Sequence, residues 1–315
     1  MADVSKKATR VGYGEALVEL GNKRNDFIVM DADLAAATQT GKFKAAFPER
    51  FYNCGIAEQN MMSIAAGVAS TGKKVIVSSF AMFASGRAFE QIRNSICYPN
   101  LPVVIGATHG GISVGEDGAT HQCLEDIALM RTLPNMTVIN PADAVEAKKA
   151  VFAAIDHDGP VYMRFGRYAV PVIFDDDYEF KIGKANILRD GKDVTVIATG
   201  LMVDEALKAY DLLKKEGISA RIINMATIKP LDVDAVLAAA KDTGAIVTAE
   251  EHSVIGGLGG AVSETVCEKY PVPVVKLGVY DKFGYSGPAA DLLDAFGLRA
   301  KDIAQKAKAA IALKK

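Results

Sequence analysis

The chain has no tryptophan, and only four histidines and four cysteines in 315 residues. Cys54, Cys97, Cys123 and Cys267 are scattered and form no Cys-x-x-Cys pair. That argues against a zinc site or a disulfide framework and suits a reducing, cytoplasmic compartment. Charge of neither sign prevails, with 36 Lys and Arg against 38 Asp and Glu. Nucleic-acid binding calls for a basic face, and this balance gives no case for one. No apolar run approaches the roughly 18 residues of a membrane span. The opening stretch "MADVSKKATR" has no apolar h-region, so no secretory signal is expected there. What the chain has in quantity is apolar residues, 50% of the total, enough to bury a full core. Its length points to two domains.

Short β-rich runs alternate with longer helical ones. Strands are expected at 27–30, 75–80, 102–108, 136–141 and 160–165, and apolar residues recur at helical spacing over 57–71 and 142–155. After Arg167 the pattern breaks into a stretch rich in Pro, Asp and Gly. A second set follows, with strands at 194–200, 218–225, 245–251 and 272–279. Its helices are expected at 201–217, 232–244, 261–270 and from about Ala289. Such alternation implies βαβ units and parallel sheets, hence an α/β fold. We expect a first domain over 1–175, a connection over 176–190 and a second domain over 191–315. The halves are not sequence repeats.

In open parallel sheets, ligands bind beyond the carboxyl ends of the strands. Two of the four histidines, His109 and His121, fall within thirteen residues after the 102–108 run, in "HGGISVGEDGATHQ". His109, Asp117, His121 and Arg164 then belong to neighbouring strand ends and are candidates for one crevice. Glycines would let the backbone approach a ligand. His121 is expected to open a helix, where the macrodipole favours anions. The plain alternatives are a loop for the histidines, a turn or cap for Asp117 and a solvated strand end for Arg164. Glu58, at the start of the apolar helix in "GIAEQNMMSIAAGV", reads two ways. It is either an acid favoured by the helix dipole or a carboxyl in apolar surroundings, with a raised pKa and a proton to give.

Together these pieces resemble transketolase, specifically its pyrimidine-binding domain followed by its small, mixed-sheet C-terminal domain. The resemblance covers nearly the whole chain and rests on "ATR" (8–10), "DADL" (31–34), "GIAEQNM" (55–61), "SFAMF" (79–83), "THGG" (108–111), "GEDGATHQ" (115–122), "MRFGR" (163–167) and "IKPLD" (228–232), in matching order. It implies thiamine diphosphate as cofactor. Glu58 would hydrogen-bond N1′ of the aminopyrimidine, which needs a carboxyl kept protonated in a dry pocket beside Ile56, Ala57 and Met61. Phe83 would stack on that ring and Phe80 would line the same pocket; the plain alternative for both is a core aromatic. His109 and Asp117 would bind sugar hydroxyls, and His121 would sit near cofactor and substrate carbonyl. Arg10 and Arg164 would hold the substrate phosphate.

Two departures stand out. Ala37 occupies a position where the family usually has a phosphate-binding serine, with Thr38 as a substitute or a looser phosphate site as the alternatives. The Gly-Asp-Gly stretch that binds the diphosphate and its metal is missing, and "GGLGG" (256–260) is read as opening a helix. No metal ligand is therefore expected in this chain. The resemblance implies the C-terminal subunit of a split transketolase of the pentose phosphate pathway. A partner N-terminal subunit would carry the diphosphate site and Mg²⁺ or Ca²⁺, and the two would assemble as a heterotetramer. Deoxyxylulose-phosphate synthase typically has Arg in place of His109 and "GADG" in place of "GEDG". The pyruvate dehydrogenase β subunit lacks the "GEDGATHQ" and "MRFGR" set, and a non-catalytic homologue should have lost Glu58 or His109. The second domain offers no site residue: His252 reads as a strand-to-helix loop at a subunit contact, His157 as a surface turn.

Overall fold

Runs such as Val75–Val77 and Val103–Ile105 are β-branched and carry no charge, the composition of strands covered on both faces. The computed structural model, which describes residues 5–314, buries every one of these side chains. Its strands are β1 (Lys6–Ala8), β2 (Phe27–Asp31), β3 (Phe51–Asn53), β4 (Lys74–Phe80), β5 (Val103–Thr108), β6 (Thr137–Ile139), β7 (Val161–Phe165), β8 (Ala169–Pro171), β9 (Asn186–Arg189), β10 (Val194–Ala198), β11 (Ala220–Asn224), β12 (Thr227–Lys229), β13 (Ile246–Ser253) and β14 (Val274–Val279). A seven-stranded sheet has the order β12-β6-β7-β5-β4-β2-β3 and is parallel except for β12, which runs antiparallel to β6. A five-stranded sheet, β14-β13-β10-β11-β9, is parallel except for β9. β1 and β8 form a separate antiparallel ribbon.

Helices cover both faces of the first sheet. Thr9–Lys23 and Ala144–Ile155 pack on one side through Tyr13, Leu17, Ala147 and Val151. Glu58–Ala69 packs on the other through Met61, Met62 and Ala65. The boundaries have local causes. The Asp143 side chain accepts from Glu146 N and starts helix 144–155. Asp232 does the same for Val233–Thr243 through Ala235 N, and Gly244 ends that helix in the left-handed conformation at φ 67°.

Several expectations need correction. Residues 186–189, inside the stretch read as a connection, are β9 of the second sheet, antiparallel to β11. β12, from the second half of the chain, lies at the edge of the first sheet. The last helix is two, Ala289–Ala295 and Ala300–Ala312, separated around Gly297 at φ 65°. His121 does not open a helix: the following helix is Asp126–Arg131, and His121 sits in a turn with its N–H on Gly118 O. His252 belongs to β13, is fully buried, and its Nε2 accepts from Ala128 N at 3.3 Å. It is a contact between the two halves of one chain. No helix among the described residues is long and apolar enough to cross a membrane.

Candidate active site

The strands β4, β5 and β7 end level, with Phe80 opposite Thr108 and Thr108 opposite Phe165. Residues just past these ends are therefore neighbours in space. The ring of Phe80 stacks on His109 at 3.8 Å between centroids, with 26° between planes. Met82–Arg87 forms a helical turn directly after β4 and sets Phe83 at 5.9 Å from Phe80. His121 closes the group, edge-on to Phe83 at 5.2 Å and to Phe80 at 6.2 Å. Sequence spacing groups the two histidines; the fold adds the two phenylalanines, so the four rings form one cluster.

His109 has φ 59°, a left-handed backbone that costs a residue with a Cβ roughly 1–3 kcal/mol. Strain of this kind persists only where surrounding structure holds it. Burial, reinforced by Arg10, Arg167 and His121, pushes the imidazole pKa down to about 3, so the ring is neutral near pH 7. Its tautomer follows from its neighbours. Arg10 Nη1 lies 3.3 Å from Nε2, and a guanidinium can only donate. Nε2 is therefore the acceptor, and Nδ1 carries the proton toward Thr108 Oγ1 at 2.9 Å.

Arg10 comes from the first turn of helix Thr9–Lys23. Its Nη1 also donates to Ala37 O at 2.7 Å, which places Ala37 at the same site. Its Nε is buried with no hydrogen-bond partner among the described residues. Burial and nearby Arg167 pull the Arg10 pKa below its ordinary range. Thr38 cannot replace the missing serine: it is fully buried and its Oγ1 donates to Asp31 Oδ2 at 2.7 Å.

Glu58 is the first residue of helix Glu58–Ala69 and only 1% exposed. Its surroundings are not purely apolar. Ile56 is 78% exposed, and Arg87 Nη1 donates to Glu58 Oε2 at 2.9 Å. The Arg87 guanidinium also lies 4.7 Å over the Phe83 ring. Glu58, Arg87, Phe83, Phe80, His121, His109 and Arg10 thus form one unbroken series of contacts. Asp117 lies exposed on the turn between the two histidines.

Arg164 departs from its expected place. It is 3% exposed and lies beneath the loop: Nε donates to Asp126 Oδ2 at 2.8 Å, Nη2 to Cys123 O and Glu251 O at 3.0 Å each. A guanidinium committed to three acceptors in the interior does not reach a ligand at the mouth. Arg167 is the arginine at the surface of this site. It donates to Glu116 Oε2 at 2.9 Å and to Val114 O, and its charge acts on both Arg10 and His109. A sequence signal existed: the β-rich run stops at Phe165, so only Arg167 lies past the strand end. Arg87 and Glu251 had no such signal.

The glycines after His109 also answer to what lies beneath. A Cβ on Gly110 would stand 2.5 Å from Arg164 Nε, and one on Gly111, at φ +93°, 2.3 Å from the Glu251 carboxyl carbon. The backbone approaches these buried charges too closely for a side chain.

Comparison with known proteins agrees over both halves. Residues 5–172 match the model of the transketolase pyrimidine-binding domain, and residues 183–303 that of the transketolase C-terminal domain. The chain belongs to the transketolase family. A putative transketolase C-terminal section from Methanocaldococcus jannaschii is 52% identical over 303 residues, covering 95% of each chain. A 6-deoxy-6-sulfo-D-fructose transketolase subunit from a Clostridium species is 43% identical over 295 residues, 94% of this chain and 92% of that protein. A solved structure described as a split-gene transketolase, inactive beta4 tetramer, superposes with a TM-score of 0.92 at 53% identity, covering 98% of this chain and 99% of the other. Transketolases use thiamine diphosphate and a divalent metal. Buried Glu58 and the Phe80–Phe83–His121 rings suit the aromatic half of that cofactor. Among the described residues, no cluster of three or more His, Cys, Asp or Glu could hold a metal ion.

Proposed function

We propose that this chain is the C-terminal subunit of a two-chain transketolase, moving a two-carbon ketol unit from a ketose phosphate to an aldose phosphate. The observation that carries the reading is the unbroken series from Glu58 to Arg10 at the ends of β4 and β5. Bound thiamine diphosphate would supply the electron sink for carbon–carbon cleavage. Phe83 and Phe80 would hold its pyrimidine ring. Glu58 would hold a proton at ring nitrogen N1′, with Arg87 exchanging its present bond for another partner. His121 would bind a substrate oxygen that gains charge. Neutral His109, with Nε2 as its acceptor, and Asp117 would bind sugar hydroxyls. Arg10 and Arg167 would clamp the phosphate, their fork geometry matching its oxygens. A separate N-terminal subunit would bring the diphosphate site and Mg²⁺ or Ca²⁺, in a cytoplasmic heterotetramer of the pentose phosphate pathway. The domain division stays near 175–190 in this reading, with β9 assigned to the second unit.

The test is ketol transfer by the tagged chain recovered with its partner from its own host, against the chain purified alone. Xylulose 5-phosphate and ribose 5-phosphate are supplied with thiamine diphosphate and Mg²⁺. A seven-carbon sugar phosphate from the complex only is the expected result, abolished by Glu58→Ala. Product from the isolated chain sinks the two-chain reading, and no product from a verified complex sinks the reaction.

A further inference from the structure

The second domain supplies no side chain to the reaction proposed above, yet it holds the 109–122 loop from behind at two points. The first is Glu251 on β13, 3% exposed, whose Oε1 accepts from Ser113 N at 2.5 Å. Ser113 lies in the short 3₁₀ turn Ile112–Val114. The first N–H groups of such a turn have no partner within it, so an acceptor must come from outside. Glu251 provides it, while its own backbone carbonyl accepts from Arg164 Nη2 at 3.0 Å. One residue thus fixes the loop and the charge beneath it. The second point is Gln122, whose Nε2 donates to Tyr285 O at 3.0 Å, Gly115 O at 3.1 Å and Ile112 O at 3.3 Å. Gly284, next to Tyr285, has no room for a Cβ, which would fall 1.8 Å from Gln122 Oε1.

These holds bracket the turn that joins His109 to His121. We infer that the second domain acts as a clamp on this loop, and that Glu251 is a positioning residue that sets the two histidines through Ser113 and the glycines. The inference deepens the proposed reaction and rests on it for the roles of the histidines. The clamp itself does not depend on them. A group misplaced by about 1 Å can cost a hundredfold in rate, so a remote hold of this kind is worth having.

Hydrogen exchange on the full chain tests the clamp without any assay of activity. Glu251→Ala is expected to speed exchange over 110–122 about tenfold or more, leaving β10 and β11 protected. Glu251→Gln keeps an acceptor and should stay within about threefold of the parent. Gln122→Ala, which cuts the other hold, should loosen 115–122 even if Glu251→Ala fails to fold. In the assembled enzyme, kcat should fall about tenfold in Glu251→Ala and recover in Glu251→Gln. Unchanged exchange over 110–122 overturns the clamp. So does loosening spread equally through the second sheet, or a Gln variant as impaired as Ala. An assembled parent enzyme without ketol transfer would sink the proposed function and leave the exchange result standing.

Discussion

The loop from His109 to Gln122 has two sides built on opposite terms. Behind it the charged groups are buried and held by one another or by the backbone: Arg164 by Asp126, Cys123 O and Glu251 O, and Glu251 by Ser113 N. In front, groups rest on exposed partners, as half-exposed Arg167 does on Glu116. Arg164 and Arg167 are three residues apart in "MRFGR", with side chains 3% and 37% exposed. One is held inside the fold and the other stands half-exposed at the mouth. Burial makes the difference, since a charge removed from water is costly unless a partner offsets it.

The sharpest way to break this comparison is stability. Arg164→Ala leaves the buried Asp126 carboxylate with only the Tyr162 hydroxyl and no cation, and should cost about 3–5 kcal/mol in urea unfolding of the isolated chain. Arg167→Ala should cost about 0.5 kcal/mol or less. Equal losses would erase the distinction between back and front. Activity should invert the order. In the assembled enzyme, Arg167→Ala should raise KM for a phosphorylated donor by roughly thirtyfold, the loss of about 2 kcal/mol of charged hydrogen bonding. An unphosphorylated ketose should show no such penalty, and an equal penalty on both donors would remove Arg167 from phosphate binding.

The smallest expected effect is on the pH dependence of Tm. Burial raises Glu146 and Glu251 from 4.5 to about 7. Each binds its proton more tightly when folded, so its stabilising contribution is complete below pH 4.5 and fades as pH rises toward 7. His109, lowered from 6.5 to about 3, works the other way and loses its contribution as pH falls below 6.5. Two acids outweigh one histidine, so Tm should be higher at pH 5.5 than at 7.5. Glu251→Gln should flatten that slope, and a slope of opposite sign would show that these carboxyls are ionised in the folded chain.

What the sequence made legible followed from period and order. Alternating β-rich and helical runs located β2, β4, β5 and β7, and the ligand side of a parallel sheet then grouped His109 with His121. What it hid depends on partners distant along the chain. β9 was lost in a run of Asp, Gly and Pro because its pairing partner, β11, lies about thirty residues on. Arg164 drew attention as a strand-end charge because its partner, Asp126, sits 38 residues away. The glycines of "HGG" read as room for a ligand, while the room they leave is filled by Arg164 and Glu251.

Thr227–Lys229 leaves the second half of the chain to lie against Val138 and Ile139. A chimera that exchanged the C-terminal domain for a relative's would carry off the outermost strand of the first sheet with it. The foreign strand would then have to fit an edge it never evolved beside. For recombination, the two domains are one heritable block, and a gene fusion or fission within them should be harder to tolerate than one at either flank.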